Sequence, residues 1–78
     1  MRNRIAYSLE DKVLKNGGRW CEITMRKTGE TFQVIRTGYK SFEDALRDSF
    51  NLVDTKKKVV ASGENLFEIA DYILKTYC

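Results

Sequence analysis

The chain reads as an α+β domain in which an antiparallel hairpin, one further short strand and two helices share a single core. Three observations predict this. Polar and apolar residues alternate with period two through residues 20–37, interrupted only at Thr28-Gly29. Two later stretches carry apolar residues at helical spacing behind capping residues, and a β-branched run, Val59-Val60-Ala61, lies between them. The expected order is ββαβα with both helices packed on one sheet face, preceded by an N-terminal strand or short helix.

Residues 1–18 admit two readings. Ile5, Tyr7 and Leu9 alternate like a strand, while Ser8-Leu9-Glu10-Asp11 suits a helix start that ends at Lys15-Asn16-Gly17-Gly18. The expectation is a short strand followed by a turn of helix or loop.

The hairpin runs from Trp20 to Lys27 and from Glu30 to Thr37, with Thr28 and Gly29 as a two-residue loop. That register sets Lys27 opposite Glu30, Met25 opposite Phe32 and Ile23 opposite Val34. Cys21, Ile23, Met25, Phe32 and Val34 then share one face, and Trp20, Glu22, Thr24, Arg26, Thr31, Gln33, Ile35 and Thr37 the other.

After Gly38-Tyr39-Lys40, Ser41 is a helix N-cap and Asp44 a short version of the capping-box acid. Phe42, Ala45, Leu46, Ser49, Phe50 and Val53 recur at helical spacing, which predicts a helix over 41–53. Lys56-Lys57-Lys58 leads into the strand Val59-Val60-Ala61, where lysine at the entrance discourages edge pairing. Beyond Gly63, Asn65 and Glu68 repeat the cap-plus-acid spacing, and Leu66, Ile69, Ala70, Ile73 and Tyr77 form the stripe of a final helix, broadened by Phe67 and Leu74.

Seventy-eight residues make one domain, 1–78, since separate cores rarely form below about 50 residues each. Apolar residues at 42% and charged residues at 32% fit a folded globular chain. With no His, no Pro and no long apolar run, the chain lacks the usual material for His-based catalysis, His-ligated metal or a membrane span. Cys21 and Cys78 are too few and too far apart for a disulfide scaffold or a zinc knuckle. Met-Arg-Asn-Arg at the start has no apolar signal core, so the expected place of work is a reducing cytoplasm.

Catalytic groups are scarce. Without His, Cys21 has only Arg19, Arg26 or Arg36 to activate it. The carboxylate pairs Glu43/Asp44 and Glu68/Asp71 fall in expected first helical turns, where capping accounts for them, and Asn16-Gly17-Gly18-Arg19 lacks the spacing of a phosphate loop and reads as a turn. The expectation is a non-enzymatic protein with no cofactor and no metal.

What remains is binding. The net charge of +3 divides unevenly: residues 1–40 hold nine bases against four acids, a net +5, and residues 41–78 five against seven, a net −2. Trp20, Arg26, Gln33, Ile35, Arg36 and Tyr39 on the hairpin are the expected partner-binding residues, with Lys56, Lys57 and Lys58 as a second patch. The competing expectation is that the N-terminal segment packs over Trp20 and makes it core; for so small a chain, burial is favoured slightly over exposure. A nucleic-acid partner is the alternative, with the ribbon in a groove and the lysines on phosphates. A homodimer through the Trp20 face or the Val59–Ala61 edge is left open.

Gly18, Trp20, Phe42 and Ala45, about a third of the chain, resemble locally the arm-binding domains of phage-type integrases and AP2-like domains, which implies a DNA-binding sheet followed by a helix starting near Phe42. In type alone, the small size, split charge and lack of catalytic groups are similar to the accessory proteins by which phages and mobile elements block host enzymes or defence complexes, anti-CRISPR proteins among them. That resemblance implies stoichiometric inhibition, by occupying a surface of a larger protein or nucleoprotein target in the host cytoplasm.

Overall fold

The computed structural model describes residues 2–38 and 45–77. In chain order these form α1 (Arg2–Lys15), β1 (Trp20–Thr24), β2 (Thr31–Arg36), a single 3-10 turn (Ala45–Arg47), β3 (Phe50–Val53), β4 (Val59–Gly63) and α2 (Leu66–Tyr77). The strands make one antiparallel sheet in the order β1-β2-β3-β4. Both helices pack against each other and against one face of that sheet. The α+β class, with helices on one face of an antiparallel sheet, is as the sequence predicts; which segments form the two helices is not.

Alternation decides which face each strand residue takes. Cys21, Val34, Leu52 and Ala61 pair across all four strands and point at the helices, as do Ile23 with Phe32, and Arg36 with Phe50 and Gly63. Trp20, Ile35, Asn51 and Ser62 form the corresponding row on the other face, followed by Glu22, Gln33 and Val53. A bulge at Leu52/Val53 shifts the last pairing to Val53 with Val59. In α2, Leu66, Ile69, Ala70 and Ile73 are buried, and the cap is the expected one: Glu68 N–H donates to Asn65 Oδ1 (3.0 Å), while Glu68 Oε1 accepts from Glu64 N–H (2.8 Å).

Three expectations are corrected. The N-terminal segment is a helix throughout, because Ala6, Leu9 and Val13 at i, i+3 and i+7 bury completely or nearly so against the sheet and α2. Tyr7, which the strand reading turned inward with Ile5 and Leu9, is 52% exposed and packs edge-to-face with Phe67. The helix stops in a Schellman arrangement, with Gly18 N–H on Val13 O (2.7 Å) and Gly17 N–H on Leu14 O (3.4 Å).

The helix expected over 41–53 is not formed where the chain is described. Ser41, Phe42 and Asp44 lie outside the described residues; Ala45–Arg47 make one 3-10 turn and Phe50–Val53 a central strand. Phe50 and Leu52 alternate into the core at 0% exposure while their backbones pair with β2 and β4. Burying two such side chains is worth about 1.5–3 kcal/mol each, which outweighs the weak preference expressed in the helical spacing. The strand expected at Val59–Ala61 is present, two residues longer, and is the edge strand β4.

The hairpin keeps its predicted faces but not its register. Trp20 opposes Ile35, Ile23 opposes Phe32 and Thr24 opposes Thr31, a shift of two that preserves the face of the paired strand residues. A two-residue loop needs left-handed backbone at its first position, where Thr28 would stand; only Gly29 adopts it (φ 74°). The loop therefore spans Arg26–Gly29, closed by Gly29 N–H on Met25 O (2.7 Å) and Met25 N–H on Glu30 O (2.8 Å).

Candidate binding surface

Both helices lie on one side, and among the described residues no helix lies over the opposite face of the sheet. Trp20 and Ile35 stand opposite one another on it, 37% and 36% exposed, and Val59 at 49% adds an apolar position on β4. The N-terminal segment covers the other face, so the burial of Trp20 favoured from sequence is not found. Between the apolar positions the surface is laced by cross-strand polar pairs: Thr24 with Thr31 (3.2 Å), Ser62 Oγ donating to Asn51 Oδ1 (2.8 Å), and Lys57 Nζ donating to Gln33 Oε1 (3.4 Å).

The Lys57 contact joins two parts of the expected site. Asp54 holds the β3–β4 turn, its Oδ1 accepting from both Lys56 and Lys58 N–H (2.9 Å each), and Lys57 sits at the apex with φ 68°. Left-handed backbone is costly for a lysine, and here it aims the side chain over Gln33. Trp20, Gln33, Ile35 and Lys57 thus share one surface, with exposed Lys56 and Lys58 at its margin. Glu22 stands beside Gln33 in the same row, so the face carries both signs of charge.

Two other expected residues lie elsewhere. Arg26 is on the hairpin loop and lines a groove on the helix side. Arg36, expected at the surface, is 4% exposed because its guanidinium is committed inward: it pairs with the fully buried Asp48, with Nε on Oδ2 at 2.7 Å and Nη2 on the same oxygen, and Nη1 donates to Gly18 O (3.0 Å). Even-numbered residues of β2 face the helices, so the parity that places Phe32 and Val34 in the core places Arg36 there too. Tyr39 lies outside the described residues.

Cys21 is a buried free thiol whose burial pushes its pKa up to about 11, against a smaller opposing effect of Lys12. That is the reverse of a nucleophile's tuning. Among the described residues no group of His, Cys, Asp or Glu is arranged to hold a metal, and no helix is long and apolar enough to cross a membrane.

Sequence reasoning missed a groove of about 430 Å³ between α1, the end of β1 and the end of α2. Ile5, Leu9, Ile23, Met25, Ile73 and Tyr77 form its apolar floor, and Arg4, Lys12 and Arg26 its cationic rim. The signal was present as Arg4, Ser8 and Lys12 at i, i+4 and i+8, legible only once residues 2–15 are read as helical.

Comparison with protein-family models matches no family, and comparisons with curated proteins and with solved structures return no significant match. The helix that the integrase-type resemblance implies near Phe42 has no counterpart at Ala45–Val53, where the chain makes a 3-10 turn and a strand.

Proposed function

We propose that the chain is a non-catalytic binding module that docks through the uncovered sheet face onto a larger protein or nucleoprotein target, as a stoichiometric inhibitor or accessory factor. The observation that carries this reading is the pair Trp20 and Ile35, each more than a third exposed on a face that no helix covers. A small domain leaves such side chains in water at a cost, and a rigid aromatic beside an aliphatic on a flat sheet suits an interface anchor. The Gln33–Lys57 and Thr24–Thr31 pairs supply the polar surround, and Glu22 among them favours a protein over a polyanion.

The nucleic-acid reading is supported by one observation, the placement of Lys57 over that face with Lys56 and Lys58 beside it. Anisotropy titration against labelled single- and double-stranded DNA and RNA at two salt concentrations separates the two. Absence of binding at low salt supports the protein reading. Micromolar binding whose salt slope falls by up to about three ion equivalents when Lys56, Lys57 and Lys58 are replaced together supports the nucleic-acid one.

A further inference from the structure

We propose that the free edge of β1, with the groove beside it, accepts an extended acidic–apolar segment of a partner protein as a fifth strand of the sheet. This edge borders the uncovered face, sharing Glu22 and Thr24 with it, but the proposal stands on the backbone groups of β1 and the groove rather than on the exposure of Trp20 and Ile35.

The hydrogen-bond parity of β1 identifies the free groups. Arg36 N–H donates to Arg19 O (2.8 Å) and Met25 N–H to Glu30 O (2.8 Å), so the odd-numbered residues of β1 turn their backbone groups toward β2. The N–H and C=O of Glu22 and Thr24 therefore point away from the sheet, at an edge that no strand covers among the described residues. At Trp20 the outward carbonyl is already occupied by Asn16 Nδ2 (3.1 Å), which marks one end of the available stretch.

The flanks define what fits. Beside the edge runs the groove floored by Ile5, Ile23 and Tyr77, all half-buried, with Leu9, Met25 and Ile73 beneath. At Lys12 it meets a second hollow, lined by Lys12, Lys15, Asn16, Trp20, Cys21 and Glu22, where both signs of charge are present. No acid lines the main groove, whereas Arg4 and Lys12 edge it on α1 and Arg26 on the hairpin loop. An incoming strand places alternate side chains on opposite faces. The set turned to the helix side would enter the groove, its apolar residues on the floor and its acids at the three cations, while the other set stands beside Glu22 and Thr24. Main-chain pairing then supplies affinity, and the apolar and basic flanks supply selection.

The test uses a fluorescein-labelled synthetic peptide of about eight residues, a usual strand length, whose alternate, groove-facing residues are Glu, Val, Phe and Glu with Thr between them, and a control with Lys in place of Glu. The acidic peptide should bind at low salt at least about tenfold tighter than its lysine control, and binding should slow amide hydrogen exchange at Glu22 and Thr24. Thr24→Pro removes an outward N–H that an edge strand can spare, and should weaken binding while the far-UV circular dichroism stays unchanged. Should that variant not fold, the surface reversal Lys12→Glu with Arg26→Glu serves instead and should invert the preference between the two peptides. Failure of the acidic peptide to bind at about 1 mM, equal binding of both peptides, or binding without slowed exchange at Glu22 and Thr24 overturns the proposal. So does slowing that grows with protein concentration alone, which would assign the edge to a second copy, or slowing by a labelled oligonucleotide in preference to the peptide.

Discussion

Arg36 and Asp48 are opposite charges with no side-chain exposure, and their pairing offsets the cost of burying both. Arg36 also ties the strand to the turn after α1 through Gly18 O and to the chain beyond β2 through Gly38 O (3.1 Å). Removing one partner leaves a buried charge uncompensated, so Asp48→Ala should cost about 3–5 kcal/mol in chemical denaturation. Replacing both by apolar residues should cost much less. Cys21 gives a pH dependence of definite sign. Its thiol ionises near 9.0 when unfolded and near 11 when folded, so the folded state keeps the proton longer. The stability this contributes is full below pH 9 and is lost as pH rises toward 11. Denaturation midpoints should fall over that window, and fall less in Cys21→Ala.

At the scale of elements, Gly63 is where β4 passes closest to α2. A Cβ there would come within 3.0 Å of Asn65 O and of Glu68 Cβ, so Gly63→Ala should destabilise by about 1–3 kcal/mol in thermal or chemical unfolding. Lys57→Gly should act oppositely, relieving the left-handed backbone and raising stability by about 0.5–1 kcal/mol, while removing the side chain that reaches Gln33. A variant both more stable and poorer at binding would mark Lys57 as retained for its side chain. These elements also show what could be read in advance. The hairpin faces, β4 and α2 with its Asn65–Glu68 cap were legible because each rests on local alternation or capping chemistry. The segment 45–53 was not, since Ala45, Leu46, Ser49, Phe50 and Val53 satisfy helical spacing and only pairing with β2 and β4 selects the strand. For α1 the alternation of Ile5, Tyr7 and Leu9 competed with the helical set Ala6, Leu9 and Val13, and burial against α2 decided. Of the expected site, Trp20, Gln33, Ile35 and Lys57 were legible as outer-face or turn residues. The inward direction of Arg36 was available from its parity with Phe32 and Val34, but its partner Asp48, twelve residues on, was not.

For the molecule as a whole, two helices on one side of a four-stranded sheet leave the other side as a flat surface with Trp20 upon it. Trp20→Ala should therefore cost less stability than the loss of a fully buried aromatic, about 3–5 kcal/mol, and leave the protein folded, while weakening capture of a partner. The most direct test of this arrangement uses the fact that Trp20 is the only tryptophan in the chain. Iodide, which stays in water, should quench its fluorescence efficiently in the folded protein, from a red-shifted emission. A blue-shifted emission that iodide cannot quench until the protein unfolds would mean that Trp20 is covered, and would contradict the open face.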